Sequence, residues 1–143
     1  MIIRQISAFL ENKSGRLADV TRILADKKIN ILAMSIADTT NFGILRLIVS
    51  DYALAEKALK EVGMTVSITN VIAIAVEDEP GGLASALAVF NKEKIGIEYM
   101  YAFVKRGSNE AYVILKVDEP GKAVALLVAN GIKVLESGSV NVK

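Results

Sequence analysis

The sequence predicts an α+β protein of two ferredoxin-like βαββαβ sandwiches in tandem, each an antiparallel four-stranded sheet with two helices on one face. Three observations predict it. An internal repeat spans the chain, both copies show the same order of hydrophobic periods, and 143 residues are room for two small domains.

The repeat is read directly. Displaced by 66 positions, ENKSGRLADVTRILADKKINI (11–31) lies on EDEPGGLASALAVFNKEKIGI (77–97), with identities at Glu11/Glu77, Gly15/Gly81, Leu17/Leu83, Ala18/Ala84, Lys28/Lys94, Ile29/Ile95 and Ile31/Ile97. Displaced by 68, the following block matches at Leu47/Leu115, Val49/Val117, Ala55/Ala123, Leu59/Leu127, Gly63/Gly131 and Val66/Val134. The change of offset is a two-residue insertion between the blocks, where DTTN (38–41) and KRGSN (105–109) read as hairpin turns. No Pro- or Gly-rich linker separates the copies, and NVIAIAV (70–76) runs through without a break. The expected domains are therefore 1–70 and 71–143, abutting.

Each element follows in order. IIRQISAFL (2–10) and VIAIAVE (71–77) are short β-rich runs. A Gly-containing turn leads to a helix with Leu17, Val20 and Leu24, or Leu83, Leu87 and Phe90, on one face. Strands are expected near 30–37 and 96–104, then at ILRLIVS (44–50) and YVILKVD (112–118). In the second helix of the first copy Ala55, Ala58, Leu59 and Val62 recur at helical spacing, and Gly63 and Gly131 suit a left-handed stop. A last strand closes each copy.

Composition narrows the chemistry. The chain has no Cys, no His and no Trp, so disulfides, thiolate nucleophiles, His-ligated metals and a Ser-His-Asp triad are all unavailable. No cofactor, metal or catalytic residue is expected. The apolar fraction is 52%, too rich for a disordered chain. Seventeen basic and 16 acidic residues leave a formal charge of +1, without the basic footprint of a nucleic-acid surface. The start, MIIRQISAFLEN, lacks a signal-peptide core, and the longest apolar run, AVALLVAN (123–130), falls short of a membrane span. A cytoplasmic protein with no membrane partner is expected.

The turn before the first helix carries the functional expectation. NKSGRL and DEPGGL both place a Gly at a helix N-terminus, whose free N–H groups and dipole suit a carboxylate or phosphate. Asn12 and Asp78 set a short polar side chain beside that opening, and Gly15 and Gly81 let a ligand approach. The same residue types also cap ordinary helices. Asn30, in KKINI, begins the second strand at the opposite end of the helix, where it can face the turn of a neighbouring domain. Its amide both donates and accepts, so it could serve an ammonium and a carboxylate together.

The pattern N/D-x-x/P-G-x-L, a helix, then I-N-I, in a unit of this length, resembles the ACT domain, a small-molecule-binding regulatory module. The resemblance covers the chain as two tandem copies. It implies a non-catalytic sensor of a free amino acid, bound at an interface between ACT-like domains. The contacts come from the turn before the first helix and from the I-N-I element of a neighbouring domain. Carried onto this chain, the site is Asn12, Lys13, Ser14, Gly15, Arg16, Leu17, Asn30 and Ile31. A weaker second site would be Asp78, Gly81, Gly82 and Leu83, where Asp78 replaces Asn and Gly96 replaces Asn30. An ionised Asp78 cannot donate and repels a ligand carboxylate. In the first copy Ser14 stands where the family has Pro. An enzyme of amino-acid metabolism is the partner such a sensor would regulate; the alternative is an assembly module that binds no small ligand.

Three other features carry less. The row Tyr99, Tyr101 and Phe103 reads as core or interface filling, since the basic partners of a base-stacking sheet are missing. Arg16 could pair with a carboxylate at the helix start but is rather expected in solvent, and Glu77, Asp78 and Glu79 follow the charge preference of a helix start. The second helices differ instructively: Glu56, Lys57, Lys60 and Glu61 become Val124, Ala125, Val128 and Ala129. In the first helices Arg16, Asp19 and Arg22 become Gly82, Ser85 and Ala88. The helical layer of the second copy is therefore expected to be covered, in a homodimer or by a tight contact between the copies.

Overall fold

The computed structural model describes residues 1–38 and 41–140. The chain divides into two compact units, the first Arg4–Thr69 and the second Asn70–Val140 together with Met1–Ile3.

In the first unit, β1 (Ile3–Glu11) alternates buried and open residues, as a half-covered strand must. It leads through a turn to α1 (Arg16–Asp26), whose buried stripe is Val20 and Leu24. β2 (Ile31–Asp38) and β3 (Phe42–Val49) pair antiparallel, as do β1 and β3, with Leu10 opposite Gly43 and Ser7 opposite Arg46. The hairpin turn expected at 38–41 includes residues 39 and 40, which lie outside the described residues. α2 (Tyr52–Glu61) starts on Asp51, whose carboxylate accepts the Leu54 N–H at 3.0 Å, an ordinary N-cap. β4 (Thr65–Glu77) opens beside β1, so the strand order is β2-β3-β1-β4. Ile6, Ala8, Leu10, Val20, Leu24, Leu45, Leu47, Ala55 and Leu59 form the core between sheet and helices.

The second unit repeats this plan. The later half of β4 pairs antiparallel with β6 (Glu110–Val117), which pairs with β5 (Ile97–Val104). α3 (Gly82–Lys92) and α4 (Pro120–Ala129) close its core through Ala86, Phe90, Ala123 and Leu127. Both units are thus ferredoxin-like, with antiparallel sheets. The closing strand β7 (Lys133–Val134) is only two residues long, and α5 (Ser137–Val140) follows it. The last strand of the first copy and the first strand of the second are one 13-residue element, because NVIAIAV offers no turn residue to break the ladder.

Two details of the repeat are conformational. Gly63 and Gly131 end α2 and α4 at φ +83° and +78°, the left-handed stop expected of them. After α1 and α3 the same task falls to Lys28 and Lys94, at φ +58° and +55°. The Ile29 and Ile95 N–H groups then reach back to the Leu24 and Phe90 carbonyls at 2.9 and 2.8 Å.

On the sheet face turned away from the helices, the first unit buries a polar row. Gln5 is fully buried, its Nε2 donates to Ser7 Oγ at 3.0 Å, and Ser7 Oγ meets Thr69 Oγ1 at 2.9 Å. In the second unit Tyr99, Tyr101 and Phe103 are half-buried, and the Phe103 ring stands edge-on to Tyr112 at 5.5 Å between centroids. The helical layer of this unit is open within the chain. Val124 leans on the core, but Val128 is 49% exposed and Ser85, Ala88, Ala125 and Ala129 are exposed.

Candidate functional site

The two Gly-containing turns share a backbone. Gly15 and Gly81 precede α1 and α3 at φ +89° and +91°, and neither helix start has a side-chain cap. The first bonds up the helix are Asp19 N–H to Gly15 O and Ser85 N–H to Gly81 O, both 2.9 Å. The N–H groups of Leu17 and Ala18, or of Leu83 and Ala84, thus precede the first acceptor of their own helix. A Cβ on Gly15 or Gly81 would meet nothing within 4 Å. Positive φ, rather than close approach, is what requires glycine at these two positions. The glycine that close approach requires is Gly82, where a Cβ would overlap the Glu77 carbonyl oxygen. Arg16 stands at the equivalent place in the first unit.

Around these backbones the side chains diverge. In the first unit Glu11 Oε2 takes Lys13 Nζ at 3.0 Å and Arg16 Nη2 at 3.5 Å. The Lys13 hydrogen bond, reinforced by the charges of Lys13 and Arg16, holds the Glu11 carboxyl below its usual range. Two cations share one carboxylate, so Arg16, expected to be free in solvent, is tied to the turn. Beside them lies an open cleft of about 180 Å³ lined by Leu10, Glu11, Asn12, Lys13, Arg16, Leu17, Ile36 and Gly43. Its floor is open because Gly43 has no side chain: a Cβ there would stand 3.4 Å from Ile36 Cγ2 and 3.5 Å from Asn12 Oδ1.

At the second turn the corresponding residues are Glu77, Asp78 and Glu79. Together with Asn109 they line a shallow recess, and Glu77 and Glu79 line another with Pro80, Gly81, Gly82 and Ser85. A hydrogen bond to the Glu77 carboxylate, then its charge, pushes the Glu79 carboxyl up. No group of three or more carboxylates among the described residues is arranged to hold a metal ion.

The sequence-selected residues therefore separate into groups. Asn12, Lys13, Arg16 and Leu17 converge on one cleft, with Ser14 and Gly15 shaping its turn. Asn30 and Ile31 sit past the far end of α1, ~16 Å away along an 11-residue helix at 1.5 Å per residue. There the Asn30 N–H donates to Ser50 Oγ at 2.9 Å, and the Ser50 N–H returns to Asn30 O at 3.0 Å. Ile31 packs on the first core. Of the second set, Asp78, Gly81 and Gly82 border the acidic recesses, whereas Leu83 packs on the second core.

Sequence reasoning missed Leu10, Ile36 and Gly43 in the cleft and Ser50 behind Asn30. The repeat held the signal. Gly43 faces Leu10 across the ladder just as Ala111 faces Val76. Ile36 aligns with Ala102. A residue-by-residue comparison of the copies would have marked both positions as different in volume.

No helix among the described residues is long and apolar enough to cross a membrane. No curated protein matches the chain in sequence. Among solved structures, a protein of Bacteroides thetaiotaomicron is similar over the whole chain, with 40% identity, 98% of its own length covered and a TM-score of 0.93. The regulatory subunits of aspartate kinase from Thermus flavus and Thermus thermophilus share the fold at TM-scores of 0.65. Their identities are 15% and 20%; the match covers 90% of this chain in each case, and 92% and 90% of theirs. The family model described as an ACT domain pair matches residues 1–141, and the chain belongs to that family of regulatory domains.

Proposed function

We propose that the chain is a non-catalytic cytoplasmic sensor that binds a free amino acid at an interface between ACT-like domains. The domains are 1–70 and 71–143, and the site is built on the turn of the first. The observation that carries this reading is the cleft beside Asn12, where two cations and an uncapped helix start are set against a single carboxylate. An amino-acid zwitterion needs this kind of mixture. Its carboxylate is favoured by Arg16, Lys13 and the first-turn N–H groups, and its ammonium by the Asn12 amide oxygen. Asn30 cannot reach that cleft from within its own unit, so its part in binding requires the Asn30 end of another ACT-like domain. The acidic second turn, Asp78 with Gly81, Gly82 and Leu83, would repel the same carboxylate.

The test is a thermal-shift screen against the twenty amino acids. A ligand at 100-fold excess over its dissociation constant stabilises by about 2.7 kcal/mol. A screen at millimolar concentration in which nothing raises the midpoint would defeat the sensor reading.

One observation favours a second reading, an assembly module with no small ligand. The α3/α4 face offers Val128, Ala125 and Ala129 to a partner where the first unit's α2 has charges. A homodimer across this face is compatible with either reading. An enzyme of amino-acid metabolism is the proposed regulated partner, in keeping with the fold shared with aspartate kinase regulatory subunits. A ligand response in a chain whose oligomeric state is unchanged would separate sensing from assembly alone.

A further inference from the structure

Resting on the amino-acid reading of the first turn, we infer that the ligand has an uncharged aliphatic side chain of the size of valine, leucine or isoleucine. The inference comes from the wall of the cleft that the zwitterion-binding groups leave over. Besides Glu11, Asn12, Lys13 and Arg16, the lining is Leu10, Leu17, Ile36 and Gly43. Leu17 is 37% and Ile36 48% exposed, so this wall is apolar surface open to a ligand. Gly43 leaves space beside it, since a Cβ there would stand 3.4 Å from Ile36 Cγ2 and 3.5 Å from Asn12 Oδ1. A ligand whose α-carbon lies between Asn12 and Arg16 would direct its side chain onto Ile36 and Leu17.

The second unit serves as an internal control. Ala102 replaces Ile36, Ala111 replaces Gly43 and packs on the core, and Gly82 replaces Arg16. Leu83 and Val76 keep the places of Leu17 and Leu10, but the isoleucine, the open floor and the cation are absent together. Polar side chains fit the first wall poorly. Serine or threonine would set a hydroxyl against Ile36 and Leu17, and aspartate would add a second carboxylate beside Glu11. Lysine would bring a third cation to Glu11, which Lys13 and Arg16 already share.

Isothermal titration of the full chain with glycine, alanine, serine, aspartate, lysine, valine and leucine tests the assignment. One methylene in an apolar pocket is worth about 10-fold or more, so valine or leucine should bind at least ~10-fold tighter than alanine or serine. Ile36→Ala should weaken valine or leucine about 10-fold while sparing alanine. Gly43→Ala, which reproduces Ala111, should weaken the larger ligands without lowering the unliganded melting temperature. If serine, aspartate or lysine binds tightest and Asn12→Ala abolishes it, the side-chain class is wrong and the amino-acid reading stands. Leucine affinity that survives both Ile36→Ala and Gly43→Ala also overturns the inference. If none of valine, leucine and isoleucine binds while another of the twenty amino acids raises the melting temperature, the side-chain class is wrong and the amino-acid reading stands; if none of the twenty does, both fall.

Discussion

The turn before α1 and the turn before α3 have the same backbone, with left-handed glycines two degrees apart in φ, and opposite surroundings. One sets Lys13 and Arg16 about Glu11; the other sets Glu77 beside Asp78 and Glu79. One opens onto an apolar cleft floored by Gly43; the other has Ala111 at that place. The two turns share a left-handed glycine as N-cap, whereas α2 and α4 start from Asp51 and Glu119 at φ -142° and -124°. Nothing in the fold requires the side chains to differ. The proposed binding role of the first turn rests on that divergence.

The largest effect should come from giving the first turn the chemistry of the second. Lys13→Glu with Arg16→Gly removes both cations, each able to make a charged hydrogen bond of about 1.5–3 kcal/mol. Amino-acid binding should then fall below detection in calorimetry, while the circular dichroism spectrum is unchanged. Backbone changes come next. Gly15→Ala and Gly81→Ala each force a Cβ into the left-handed region and should cost about 1–2 kcal/mol in urea denaturation. Equal losses would show that the backbones are as alike in energy as in angle. Lys28→Gly and Lys94→Gly relieve the same strain and should each stabilise by up to ~1 kcal/mol.

Assembly gives a further contrast. Val128→Lys copies Lys60 of the first unit onto the exposed face of α4. If that face is a dimer contact, light scattering should report a halved mass; a wild type that is already monomeric shows the face to be simply exposed. The smallest effects are acid–base and should have opposite signs. Glu11 has a depressed carboxyl, so its contribution to stability is present above its unfolded value and lost as pH falls through the folded one. Glu79 has a raised carboxyl, so its contribution is present below its unfolded value and lost as pH rises through the folded one. Across the carboxylate range, about pH 3–6, Glu11→Gln should destabilise more as pH rises. Over the same range Glu79→Gln should become progressively stabilising.

Much of this was legible in the sequence, because helices, strands and left-handed glycines are set by local periods and by φ. Val20 and Leu24, Ala55 and Leu59, and Gly63 and Gly131 all sit where their spacing puts them. The strand β7 was less so: residues 133–134 pair with β4 for only two positions, a length set by tertiary contacts rather than pattern. Lys28 and Lys94 were not legible as left-handed residues, since lysine carries no preference for that region. In the site, the turn was readable and the cleft was not. Ile36 and Gly43 lie on two different strands, and only the ladder brings them to Asn12.

The central claim is that the first turn takes the effector and the second does not. Its most direct test is isothermal titration of Asn12→Ala and Asp78→Ala with the amino acid that binds the wild-type chain. The account predicts that Asn12→Ala loses most of the affinity and Asp78→Ala retains it. Retained binding in Asn12→Ala, with loss in Asp78→Ala, would contradict it and move the site to the second unit.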